Sequence, residues 1–223
     1  MGCFVAVTES TLNVQRASRS AVRALCKRLD GDDGEALYAG GRARFTTRPE
    51  TVEVEPPFRL AFEGRLVPCS TEPLAEHLRL PRRVGLLWVR LGGYAAAVYE
   101  DEKLLDGRAG ARFVKNRNKK GGSSSNRFRR RREEQARDLH DRAAELADDL
   151  LAPFASSLDW LVVAGDRLAL AAVEERSVVQ PQIGAPREVP TFHLGDPRSS
   201  LLAGVARELW SSTLRRPLPP TRA

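Results

Sequence analysis

Disulfide and metal chemistry have little material in this sequence. The three cysteines, Cys3, Cys26 and Cys69, are far apart, form no Cys-x-x-Cys pair and leave an odd thiol if two bond. No disulfide framework follows, and a reduced compartment is expected. His77, His140 and His193 are equally scattered, which excludes a zinc finger and a His-x-x-x-His site; each is expected to be a surface or structural residue. No uncharged apolar run approaches the ~18 residues of a membrane span. The N-terminus, Met1-Gly-Cys-Phe-Val-Ala-Val, lacks a basic leader with a signal-length apolar run, and Ala6 stands where myristoylation needs Ser or Thr. A cytoplasmic protein with no membrane partner is the expectation. No GxxxxGK[ST] phosphate loop is present, and no His or Lys is fixed by spacing as a base for Ser123, Ser124 or Ser125.

The most informative absence is local. Residues 108–132 contain no Asp or Glu but eleven Lys or Arg, in a chain whose formal charge is only +7. The remainder therefore sums to −4, and the basic character is concentrated where it can focus a positive potential. At the centre of this stretch is Gly121-Gly122-Ser-Ser-Ser125-Asn126. Adjacent glycines, followed by side chains that compete for backbone hydrogen bonds, make this a tip rather than helix or strand interior.

After the tip the period becomes helical. Phe128, Arg132, Ala136, Leu139, Ala143, Ala147 and Leu150 recur at steps of three or four, which predicts an amphipathic helix over 127–151, ended by Pro153. Ser125 or Asn126 is the expected cap. Phe128 opens the apolar stripe, so its removal is expected to cost packing energy if it is buried. Arg127 and Arg129 to Arg132 then occupy the positive end of the helix dipole, where acids would be favoured. An external anion compensates that arrangement, and the glycine loop with its free amides suggests phosphate. The alternative is a solvated basic loop with no ligand.

The rest of the chain reads as a scaffold. Residues 3–7 suggest a short strand. Ser18 caps a predicted helix with Ala21, Val22, Leu25, Cys26 and Leu29 inside, and the Asp-Gly-rich run after Leu29 stops it. Alternation around Val52 and Val54, then Phe58, Leu60 and Phe62, predicts two strands separated by Pro56-Pro57. A short helix over 72–78 has Pro73 in its first turn. Residues 1–80 thus form a small α+β segment. Residues 84–91 and 94–100 predict a hairpin about Gly92-Gly93, and a third strand leads through Leu104-Leu105 to the basic tip. Beyond the long helix come a strand at 160–164, a helix to about Glu175 with Leu168, Ala171 and Ala172 inside, and a strand at 189–194. A last helix follows Asp196-Pro197, with Leu201, Leu202, Val205, Ala206 and Leu209 inside, and the tail from Pro217 is expected to be loose. This order predicts an α/β domain of two or three layers.

Two chemistries compete at this stage. Glu100, Asp101 and Glu102, joined by Glu174, Glu175 and Asp196, would make a carboxylate metal site of nuclease type if they converged. The tip fits another chemistry better: a small loop can enter a partner's catalytic centre and orient water for ester hydrolysis on an RNA-linked acyl group, with no metal and no cofactor.

The residues VGLLWVRLGGYAAAVYE, GGSSSNRFRRRREEQA and LVVAGDRLAL, within 83–210, resemble the Vms1-like release factors of actinobacteria and chloroflexi, relatives of the central domain of eukaryotic release factor 1. The resemblance implies an RNase-H-like mixed-sheet domain over 83–215 that carries the basic-tipped helix. It further implies a peptidyl-tRNA hydrolase-like release factor in ribosome rescue, whose partners are the large ribosomal subunit, rRNA and peptidyl-tRNA. Gly121, Gly122, Ser125 and Asn126 are then the candidate catalytic residues. Arg117, Lys119, Lys120, Arg127, Arg129, Arg130, Arg131 and Arg132 are the candidate RNA contacts. The family pattern places glutamine where this chain has Ser125, with Asn126 beside it. Serine keeps only a hydroxyl, and asparagine keeps an amide with one methylene less reach. The alternative function is therefore a noncatalytic ribosome- or RNA-binding protein. Oligomeric state is not addressed by the sequence.

Overall fold

The structure, a computed structural model, describes residues 12–48, 50–112, 125–190 and 194–218. The strand expected at residues 3–7 lies outside them. In chain order the elements are β1 (Leu12–Ala17), α1 (Arg19–Leu29), β2 (Gly34–Ala39), β3 (Arg42–Thr47), β4 (Thr51–Glu55), β5 (Gly64–Leu66) and α2 (Glu72–Arg79). They continue with β6 (Arg83–Arg90), β7 (Gly93–Glu100), β8 (Lys103–Ala111), α3 (Ser125–Leu151), β9 (Trp160–Gly165), α4 (Arg167–Glu174), β10 (Arg187–Glu188), α5 (Ser199–Leu209) and β11 (Ser212–Pro217). Two compact units result: Met1–Leu80 together with Arg207–Ala223, and Pro81–Ala206.

The first unit is an antiparallel sheet in the order β1-β11-β4-β3-β2-β5. Ser18 caps α1 by accepting from the Ala21 amide at 3.2 Å, and Val22, Leu25, Cys26 and Leu29 are buried. They meet Ala43, Phe45, Val52 and Val54, which alternate along β3 and β4, and Leu74 and Leu78 of α2. Three features depart from the sequence reading. Gly40 and Gly41, both at positive φ, form the two-residue turn of a β2–β3 hairpin that the period-two pattern had not separated. Phe58 to Phe62 form no strand, because β3 and β11 occupy both edges of β4 and two prolines withhold their donors. Phe58 instead packs edge-on against Trp210 at 5.5 Å. Finally, residues 212–217, to which the sequence reading gave no element, form β11, paired between β1 and β4, and the tail expected to be loose overlaps it at Pro217 alone.

The second unit is a mixed sheet in the order β10-β9-β6-β7-β8. β6, β7 and β8 form the expected antiparallel meander, while β9 runs parallel to β6 and β10 parallel to β9. The crossover from β8 through α3 lays that helix on one face. Leu139, Ala143, Ala147 and Leu150 pack there with Leu87 and Val89 of β6 and Ala96 and Val98 of β7. α5 serves the other face, where Tyr99 donates its hydroxyl proton to the Leu202 carbonyl at 2.9 Å. α4 begins at Asp166, whose carboxylate accepts from the Leu168 amide at 2.9 Å. That start sets the phase of the helix, so Ala169 and Val173 are buried while Leu168, expected inside, is 76% exposed. Likewise Leu201 faces out and Leu202, Val205 and Leu209 face in. The strand expected at 189–194 is replaced by the two-residue β10, and residues 191–193 lie outside the described residues. Among the described residues the fold is thus mixed α/β with two sheets and five α-helices, and none of these helices is long and apolar enough to cross a membrane.

Leu139 is 1% exposed and is the first α3 residue seated fully in the core. Leu139→Ala is expected to destabilise the second unit by about 3 kcal/mol, read from the midpoint of urea denaturation.

Candidate nucleic-acid interface

α3 is longer than the sheet it covers. Residues 126–131 are all exposed, and from residue 126 on no side chain of the helix is buried before Leu139. At 1.5 Å per residue, about 20 Å of helix precedes the core. The base of this arm is fixed on two sides. Arg112, the last described residue before the tip, pairs through Nε with Asp138 Oδ2 at 3.1 Å, and its amide donates to the Gly92 carbonyl at 3.1 Å. Arg176 pairs with Asp141 at 2.7 Å. The helix is therefore held to β8 and to the segment after α4, and its N-terminal end projects.

The arm carries Arg127 and Arg129 to Arg132, and its first turn has no acidic residue. Arg129 lies 3.9 Å from Glu133, a long exposed pair of small energetic weight. Arg127, Arg130 and Arg131 have no ion-pair partner among the described residues. Spaced three and four apart, they share one helix face with Asn126 and Glu134 and line a shallow surface hollow. Like charges on one face at the positive end of a helix repel each other and the dipole. An anion of suitable shape relieves both costs, and a planar guanidinium pairs with a phosphate through two parallel hydrogen bonds.

Of the candidate catalytic residues, Gly121 and Gly122 lie outside the described residues. Ser125 is the first residue of α3 and Asn126 the second, so both belong to the helix itself, which starts earlier than the expected residue 127. Arg117, Lys119 and Lys120 also lie outside the described residues. The grouping of Arg130 with Arg127 and Arg131 follows from helical spacing. Phe128 needs correction: it is 38% exposed, because the core ends at Leu139 and the apolar stripe continues past it.

The remaining chemistry-bearing groups are engaged in structure. His77 is buried and donates from Nε2 to the Pro57 carbonyl at 3.1 Å. Burial, with Arg176 adding to it, holds His140 below the ordinary histidine range. Cys26 and Cys69 are buried free thiols, and burial pushes Cys26 up to about 11, so it stays protonated. The acids considered for a nuclease site do not converge: Glu100 pairs with Arg83, Glu174 with Arg187, and Asp196 lies 3.8 Å from Arg90. Among the described residues no group of three or more His, Cys, Asp or Glu could hold a metal ion.

Because Phe128 is outside the core, Phe128→Ala is expected to change stability by no more than about 0.5 kcal/mol, in contrast to Leu139→Ala. Parallel urea titrations of the two variants check this.

Comparison with known proteins identifies the family. Residues 82–215, more than half of the chain, match the family model described as Actinobacteria/chloroflexi VLRF1 release factor. No curated protein matches the chain. Among solved structures it is similar to the crystal structure of an archaeal translation termination factor, aRF1, at 15% identity and a TM-score of 0.37, covering 76% of this chain and 49% of that one. It is also similar to the Vms1 mitochondrial localization core, at 13% identity and a TM-score of 0.43, covering 80% of this chain and 77% of that one. This chain thus spans about half the length of the archaeal factor. The match over 82–215 bears out the resemblance read from the basic helix and its neighbouring strands: the chain belongs to the actinobacteria/chloroflexi VLRF1 release factor family, which assigns it a translation-related role.

Proposed function

We propose that this protein is a cytoplasmic, ribosome-associated release factor of the peptidyl-tRNA hydrolase type, acting on obstructed large subunits. The observation that carries the reading is the projecting arm of α3, whose first turn has no acidic residue and whose Arg127, Arg130 and Arg131 have no ion-pair partner among the described residues. In this reading residues 1–80 are a small accessory segment and 83–215 form the release-factor domain, except that β11, which begins within that range, completes the first unit's sheet. An RNase-H-like assignment of that domain is supported by its strand order: a three-stranded antiparallel meander, then two strands added in parallel beside its first strand.

Each residue set has a distinct task. Arg117, Lys119, Lys120, Arg127 and Arg129 to Arg132 hold rRNA or tRNA phosphates and thereby set the depth of the arm. Gly121 and Gly122 allow the backbone to approach the ester closely. Ser125 and Asn126 orient a water molecule. That water adds to the ester carbonyl carbon, the bond from this carbon to the tRNA ribose oxygen breaks, and the ribose oxygen takes up the proton the water gives away to become a hydroxyl. No protein group in this scheme forms a covalent intermediate.

A second reading is favoured by one residue. Ser125 stands in place of the family's glutamine, and a hydroxyl has neither the reach nor the paired donor and acceptor of an amide. The protein would then occupy the ribosome without hydrolysis. Purified large subunits carrying labelled peptidyl-tRNA distinguish the two: peptide release by the native chain supports the enzyme. Binding without release, with release acquired on Ser125→Gln, supports the noncatalytic reading.

Both readings require the arm to bind phosphates. Arg127→Ala with Arg131→Ala is expected to weaken binding to large subunits and flatten the log affinity against log salt plot by roughly 1.5, at 0.7 to 0.9 per lost phosphate contact. Unchanged affinity and slope would leave the arm a solvated surface and remove the main support for either reading.

A further inference from the structure

The first unit has a sheet with one covered face. α1 and α2 pack on the side of Ala36, Tyr38, Ala43, Phe45, Val52 and Val54. Side chains alternate along a strand, so the opposite face is formed by the residues between these. Strand register sets them in rows. One row runs Arg215, Glu53, Arg44, Leu37, Arg65 across β11, β4, β3, β2 and β5. In the next row Arg16 stands opposite Thr213 and Thr213 opposite Glu55, with Arg42 pairing to Glu55 at 3.4 Å. Among the described residues this face therefore presents five arginines and no helix of the first unit. Its acids are Glu53, Glu55 and, at the β2–β5 side, Glu35.

These charges are arranged by depth. Glu53 sits at the centre with its side chain 11% exposed, bonded to Arg44 at 2.9 Å and near Arg42 and Arg215 at 3.5 Å each. Glu55 holds Arg215 at 2.7 Å. By contrast the Arg42 and Arg65 side chains are 42% and 66% exposed. Glu53 acts as a buried anchor that fixes guanidiniums in place, and the Arg42 and Arg65 side chains are more exposed than any of the three acids. An ordinary surface ion-pair lattice neutralises itself; this one keeps five arginines against three acids, in a fixed array. The complementary partner is acceptor-rich, anionic and extended.

We propose that this face is a second RNA-binding surface, one that takes the phosphate backbone of ribosomal RNA. It assigns a role to the first unit and does not rest on the arm, whose arginines belong to the other unit. Sequence readout is not expected, because the face has no aromatic side chain for stacking on bases and its arginines are already oriented by carboxylates.

The test uses the full chain, with naked large-subunit rRNA and intact large subunits as probes over a salt series. The triple variant Arg16→Ser, Arg42→Ser, Arg65→Ser leaves Glu53 bonded to Arg44 and Glu55 bonded to Arg215, so thermal melting should match the parent. Its affinity for naked rRNA is expected to fall roughly tenfold, with a salt slope lower by about 2. The corresponding triple lysine variant should keep most of that slope, since phosphate attraction survives a change of cation. The arm variant should lose its own share independently, so failure of one site leaves the other measurable. An unchanged rRNA affinity and slope in a normally melting serine variant overturns the proposal. So does a loss of binding to intact subunits with none to naked rRNA, which would identify a protein partner.

Discussion

The seating of α3 on β6 and β7 is the interaction on which the rest of the second unit depends. Leu139, Ala143, Ala147 and Leu150 meet Leu87, Val89, Ala96 and Val98, small residues on the helix allowing close approach to a sheet of small and branched side chains. This contact lets the chain pass from the edge strand β8 to β9 on the far side of β6. It also gives a rigid base to whatever the N-terminal half of the helix carries. Intrinsic helix preference would not keep arginines in a helical array at the unfavourable end of the dipole. A helix nucleated and held at its C-terminal half can extend such a segment into solvent, because propagation adds only one residue at a time to a structure already formed.

Stability and recognition are thus separated along one helix. From Leu139 onward, burial of apolar area supplies the free energy of folding. Before it, the side chains contribute to partner binding and little to the fold. The Arg112–Asp138 pair marks the division: it ties the end of β8 to α3 at the level where the core stops. A binding element supported in this way varies in sequence without loss of the domain, provided helix-forming residues are kept.

Much of this was legible in the chain, and the failures have physical causes. The β6–β7 hairpin, the long helix and the α1 cap followed from strong periodicity and cap chemistry. The basic arm followed from charge, which needs no fold to be counted. Phe128 was misplaced because periodicity gives the direction of a side chain but not where the opposing surface ends. Leu168 was misplaced because in a helix of two turns made almost wholly of Leu, Ala and Val the apolar pattern does not say which side meets the core. The β2–β3 hairpin had its signal in Gly40-Gly41, which the alternation starting at Ala43 obscured. β11 had none that is local: Ser-Thr-Leu-Arg-Arg-Pro becomes a strand by pairing with the distant β4, and it then supplies the edge on which β1 pairs. The network around Glu53 is likewise a product of register, invisible until three strands are aligned.

That late strand bears on the order in which the protein is made. The second unit is contiguous, from Pro81 to Ala206, so every strand and helix of its core exists before the last residues are translated. The first unit is begun earlier but finished later, because its sheet is divided between β1 and β4 until β11 arrives from the other end of the chain. During synthesis the N-terminal unit waits with the edge of β4 open and β1 without its partner strand while the later unit completes itself. A translation factor of this design passes through a stage, on the ribosome that makes it, in which the portion synthesised first is the portion still unfinished.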